Sequence, residues 1–157
     1  MKKEESLIGF GGGCHWCTEA IFQSIHEVRR VEQGWIKSDA PYEQFSEAAL
    51  VYFNAEEISL ERLIHIRVKT HSVTSSHFKR NKFRSAVYAL GKSQMKKCSE
   101  ILNQMQKKYD QQIITKVLSC RKFKLNQENY LNYYYNNPDK PFCQTYIEPK
   151  LKILEDL

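Results

Sequence analysis

The 157-residue sequence contains no apolar run near the roughly 18 residues that a membrane-spanning helix requires. Its opening stretch, MKKEESLIGF, has charge but no apolar segment of the kind a secretion signal carries, so the expected address is the cytoplasm. There is no internal repeat and no low-complexity linker, and the length suits one domain spanning residues 1–157. Disorder is excluded as well, because 41% of residues are hydrophobic and only 27% charged. A second Cys-x-x-Cys is missing, and His71 and His77 lie far along the chain, so neither a metal site nor a cofactor is expected. Lys and Arg outnumber Asp and Glu by 24 to 18, a net charge of +6. The basic residues are scattered and often sit beside acids, so the excess reads as a solvated surface and not as a nucleic-acid footprint.

What the sequence does have is five cysteines: Cys14, Cys17, Cys98, Cys120 and Cys143. An odd number without a secretion signal argues against a disulfide scaffold and for thiol chemistry or plain burial.

The apolar run at residues 7–10 ends in Gly11-Gly12-Gly13 and reads as a buried strand stopped by a glycine turn. From residue 14 to about 26, Trp16, Ala20, Ile21, Phe22 and Ile25 recur at helical spacing. Further strands are expected at residues 31–36, 47–54, 84–90 and 113–118. Helices are expected from a Ser59 cap to about residue 68, over residues 93–109, and over residues 127–135 before Asn137-Pro138. Residues 70–82 read as a loop, and Pro149-Lys150-Leu151 as a turn in the tail. Strands and helices mix without strict βαβ alternation, which predicts an α+β fold, a two-layer mixed sheet with helices.

Cys14 therefore stands where a glycine turn meets a helix start. Unpaired backbone N–H groups and the positive end of the helix dipole stabilise an anion there, so the thiolate is favoured and the thiol is a candidate nucleophile. Cys17 follows in Cys14-His15-Trp16-Cys17, an arrangement that suits a redox pair, half a metal site, or simple packing against the sheet.

The text GGGCHWCTEAIF resembles the Gly-Cys-Phe-Trp motif and following helix of the A-type peptide methionine-(S)-sulfoxide reductases. The likeness is collinear. PYEQ at residues 41–44, Glu47 and Asn54, LIHIRVKTHSVT, FRSAVY at 83–88, the aromatic stretch at 128–138 and PFCQTYIEPKL follow in the family's order.

The resemblance implies a ferredoxin-like core and a thiol-dependent reductase of methionine S-sulfoxide, free or in proteins; the alternatives are a divergent relative doing thiol redox on another sulfoxide or disulfide, and a noncatalytic relative that binds a partner. Cys14 would attack the sulfoxide as nucleophile, with Glu47 as general acid. Cys14 would then be left as a sulfenic acid, which Cys143 would condense into a disulfide; Cys17 is the alternative resolving thiol. Thioredoxin or a similar dithiol would recycle the disulfide. Cys98 and Cys120 read as buried or incidental.

His15, Trp16, Trp35 and Phe83 would line the substrate site, and here the chain departs from the family. His15 replaces a motif phenylalanine. Trp35 and Phe83 stand where two tyrosine hydroxyls hold the sulfoxide oxygen. Phe78 stands in place of an acidic loop residue. Trp35 can donate a hydrogen bond through its indole N–H; Phe83 cannot.

Overall fold

The apolar run at residues 7–10 becomes β1 (Ser6–Gly11), with β3 (Ser46–Phe53) on one side and β4 (Ala86–Ala89) on the other. A computed structural model of the chain describes residues 5–12, 15–70, 84–110 and 112–157. With β2 (Val28–Lys37), β5 (Lys116–Ser119) and β6 (Lys122–Leu125), these strands form one sheet in the order β5-β4-β1-β3-β2-β6. Every pairing is antiparallel except β4 with β5, which is parallel, so the sheet is mixed as expected. The expected loop at 70–82 falls almost wholly outside the described residues, as do Cys14, Phe78 and Phe83.

Strand alternation sorts the side chains by face. Ile8, Phe10, Val51, Phe53 and Val87 meet the helices in the main core, whereas Ile36, Leu50, Tyr52 and Tyr88 form a second cluster on the opposite face. Phe10 stacks on Phe22 of α1 (His15–Gln23) at 4.6 Å between ring centroids. Both rings are fully buried, each contributing roughly 1.5–3 kcal/mol. The helix α2 (Leu60–Thr70) begins as the serine cap predicts, with the Arg62 backbone N–H donating to Ser59 Oγ at 3.0 Å. The longest helix, α3 (Lys92–Gln106), buries Cys98, Ile101, Leu102 and Met105 as one stripe. Among the described residues no helix is long and apolar enough to cross a membrane.

One strand is added and two local readings change. Residues 122–125, KFKL, are β6, an edge strand too short for its alternation to stand out and blunted by exposed Lys122 and Lys124. The helix expected over 127–135 is broken. A 3-10 turn (Glu128–Tyr130) and α4 (Tyr133–Asn136) flank Asn132, whose φ of 55° lies in the left-handed region. The cause is tertiary. The carboxylate of Glu19 on α1 accepts the backbone N–H groups of Asn132 (2.9 Å) and Tyr133 (3.0 Å), fixing the break. The Pro149 turn is instead the start of α5 (Glu148–Glu155), since proline in a first helical turn sacrifices no hydrogen bond. A π-helical turn, Cys143–Ile147, leads into it.

Candidate active site

The glycine turn ends β1 with Gly12 at φ 120°, a conformation open to glycine and strained for other residues. Beneath it lies Arg67 of α2, 3% exposed. Its guanidinium donates to Gly11 O (3.1 Å), to Gly12 O and to Thr18 Oγ1 (3.0 Å). Burial lowers its pKa to about 10, with the nearby Cys17 thiol pulling the other way. A buried cation thus ties together the two carbonyls immediately before the Cys14 segment and the helix immediately after it. Nothing in the pattern LERLIHIRVKT singles Arg67 out, because a charged residue on a helix is normally solvated.

Glu47 reaches the same helix start from β3. Alternation places Glu47, Trp35 and Gln33 on the helix-facing side of the sheet, with Trp35 opposite Glu47 in the β2–β3 register. The His15 backbone N–H, one of the first-turn donors that open α1, donates to Glu47 Oε1 at 3.3 Å. The imidazole Nε2 of His15 stands 3.4 Å from the same oxygen. Glu47 is only 6% exposed and His15 only 5%.

His15, Trp16, Trp35 and Glu47 line one cleft of about 620 Å³, so four of the residues expected at the site do converge. The His15 ring meets Trp35 edge-on at 5.3 Å. Trp16 stacks on Tyr133 at 3.9 Å, nearly parallel, and meets Phe142 edge-on at 5.5 Å. A largely aromatic wall of this kind suits a thioether and its methyl group. Lys124, Leu125, Asn126, Gln127, Tyr130 and Phe142 complete the cleft and are not among the site residues the sequence suggests. The aromatic-rich stretch at 128–138 was visible as sequence. Its folding onto Trp16 depends on the Glu19 contacts. Asn126 carried no signal at all.

Glu19, 1% exposed, is the joint between α1 and this second wall. Beyond the two backbone donors it accepts Gln33 Nε2 at 3.3 Å. Burial raises its pKa, while the hydrogen bonds from Asn132, Tyr133 and Gln33 oppose that shift.

Cys143 follows Phe142 in the chain but points away into a buried cluster with Cys17, Ala20, Tyr133 and Ile147. It is 0% exposed and Cys17 6%. Burial pushes the Cys143 thiol up, and nearby Cys17 and Glu148 add to that. Cys98, also 0% exposed, is pushed up to about 11 by burial, and burial raises Cys120 too.

The chain matches the family model described as peptide methionine sulfoxide reductase over residues 6–156. It is 30% identical over 158 residues to the peptide methionine sulfoxide reductase MsrA of Deinococcus radiodurans, covering 90% of this chain and 77% of that protein. Its fold is similar to that of Mxr1 from Saccharomyces cerevisiae in reduced form, with a TM-score of 0.80, 23% identity and 91% of each chain covered. It is also similar to Mxr1 in complex with Trx2, with a TM-score of 0.67 and 22% identity, covering 82% of this chain and 87% of that one. With the family model matched from β1 through α5, and with the cleft formed around the helix start that follows the glycine turn, this chain belongs to the peptide methionine sulfoxide reductase family.

Proposed function

We propose that the protein reduces methionine S-sulfoxide to methionine with Cys14 as nucleophile and Glu47 as general acid. The observation that carries this reading is the Glu47 carboxyl, held at the first residue of α1 and facing a cleft walled by Trp16, Trp35 and Phe142. The Cys14 thiolate attacks the sulfoxide, whose oxygen passes to the cysteine sulfur together with a proton from Glu47. The sulfoxide sulfur is reduced by two electrons and leaves as a thioether, while the Cys14 sulfur is oxidised by two electrons to the sulfenic acid. Cys143 then attacks that sulfur. An S–S bond forms, the S–O bond breaks, and hydroxide leaves with the thiol proton as water.

His15, Trp16 and Trp35 form the substrate wall, and Phe83 is proposed to complete it. Cys143 is favoured over Cys17 as resolving thiol because a bridge inside one helical turn strains against the roughly 5.5 Å Cα separation that disulfides prefer. The fully buried Cys143 requires the C-terminal segment to open during the cycle. Thioredoxin or a similar dithiol then reduces the disulfide, a partner supported by the thioredoxin complex of the structurally similar Mxr1. The reading includes a cytoplasmic setting.

The test is turnover of the separated S and R epimers of N-acetyl methionine sulfoxide, with thioredoxin and its reductase as electron source. Turnover confined to the S epimer is expected. Absence of S-epimer turnover with either thioredoxin or dithiothreitol rules the function out. Cys143→Ser should keep one stoichiometric reduction and lose thioredoxin-driven turnover; full turnover in that variant moves the resolving role to Cys17.

A further inference from the structure

A general acid that has given up its proton must regain one, and Glu47 is nearly sealed from solvent. The group best placed to supply it is the neighbouring imidazole. His15 Nδ1 lies 3.0 Å from the Gly34 carbonyl oxygen, which can only accept, so Nδ1 carries a hydrogen. All proton exchange is thereby confined to Nε2. That nitrogen has two neighbours at equal distance, Glu47 Oε1 at 3.4 Å and Asn126 Nδ2 at 3.4 Å. In the neutral ring Nε2 accepts from the Asn126 amide. In the imidazolium Nε2 donates to Glu47, and the amide contact is given up. Asn126 also donates to Gln33 Oε1 at 2.9 Å, which keeps its amide in place for the first arrangement.

We propose that His15 is a positioning residue for the reaction, a proton relay that shares one proton with Glu47 and recharges it from the cleft. The inference rests on the sulfoxide reductase reading and specifies how its acid is supplied. In the one-proton pair the Nε2 hydrogen of the imidazolium passes to Glu47, which hands it to the departing oxygen, and the neutral ring then regains a proton from water in the cleft it lines. No electrons move in this step; one N–H bond breaks and one O–H bond forms. Among the described residues, the other titratable or charged groups near the pair are Glu19 one turn along α1, Lys124 6.0 Å from the Trp35 ring centroid, the Tyr130 and Tyr133 phenols, and Lys140 over Tyr133; Cys14 precedes His15 in the sequence.

A lone carboxyl side chain loses its proton near pH ~4.3 and an imidazolium near ~6.5, so a sharing pair keeps a transferable proton to higher pH than a carboxyl alone. The experiment measures the pH profile of the single-turnover rate for N-acetyl methionine S-sulfoxide. It uses the full chain, His15→Phe and His15→Gln, with the acidic limb fitted separately because it reports the nucleophile. Both variants should lose rate on the alkaline side about one to two pH units earlier than the unmodified protein. An alkaline limb unmoved in both variants overturns the relay and leaves the reductase reading standing. Absence of sulfoxide reduction by the unmodified protein overturns both. Nitrogen-15 NMR of the unmodified protein at pH 8 adds a readout independent of the variants' folding. A hydrogen on Nδ1 with bare Nε2 is expected for His15, and the opposite tautomer refutes the arrangement.

Discussion

Replacing Glu47 by Gln removes one transferable proton and changes little else. The amide oxygen still accepts the His15 backbone N–H that Oε1 accepts at 3.3 Å, so the start of α1 keeps its partner. The side chain has the same length and the cleft walls are untouched, so substrate should bind as before. General acid catalysis by a positioned side chain contributes about 100- to 10,000-fold, equivalent to about 3–5 kcal/mol of barrier. Glu47→Gln should therefore slow the single-turnover step by a factor in that range, with KM within a factor of about three and the melting temperature within about 2 °C. Glu47→Asp keeps the proton but withdraws it by one methylene, so an intermediate rate is expected. Rapid-quench mixing of excess enzyme with N-acetyl methionine S-sulfoxide, with the methionine formed separated by chromatography, gives the rate directly. A Glu47→Gln variant within threefold of the parent refutes the assignment of Glu47 as proton donor, since nothing else in the substitution compensates for the lost proton.

Glu19→Gln should leave at least one of the Asn132 and Tyr133 N–H groups facing an amide NH2 instead of an oxygen. Each buried unsatisfied donor costs about 1–3 kcal/mol, so a fall in melting temperature of roughly 2–12 °C is expected by differential scanning calorimetry. A shift under 2 °C removes Glu19 as the joint between α1 and the second wall. Gly34→Ala would place its Cβ 2.0 Å from the Lys124 carbonyl oxygen, a contact only backbone movement can relieve. It should push β6 off β2 and raise KM severalfold through the displaced Asn126 wall; unchanged KM and unchanged amide exchange in residues 122–125 contradict this.

Burial raises the Cys98 thiol from 9.0 to about 11, so above pH 9 the unfolded chain ionises first and binds fewer protons. Stability linked to Cys98 is thus complete below pH 9 and declines as pH rises towards 11, by about 3 kcal/mol in all. Urea unfolding of the protein and of Cys98→Val at pH 8 and 10.5 should show the larger alkaline loss in the parent, and equal losses refute it.

The local elements were legible where a strong pattern acts over a short distance. The run at 7–10, the glycine turn, the Ser59 cap and the apolar stripe of α3 are each encoded within a few neighbouring residues, so β1, α1, α2 and α3 could be read in sequence. Trp16 and Glu47 were legible as site residues because the resemblance fixed their place, and strand alternation then carries Glu47 and Trp35 to the same face. The C-terminal third was not legible in this way. A local reading makes residues 127–135 one helix, but Glu19, more than a hundred residues earlier, captures two backbone N–H groups there and breaks it. Arg67 looked like any solvated helix charge until the glycine carbonyls closed around it.

By itself the sequence determined the order of most elements, the junction at which Cys14 stands and the family to which the chain belongs, because these depend on periodicity and on motifs contiguous in the chain. Only the tertiary structure decided what surrounds that junction: the buried guanidinium under the turn, the aromatic wall stacked on Trp16, and the His15 ring suspended between Gly34, Asn126 and Glu47. The physical reason is range. Helix and strand preferences are set by near neighbours, whereas a hydrogen bond or a desolvated charge depends on whichever distant segment folding brings within about 3 Å.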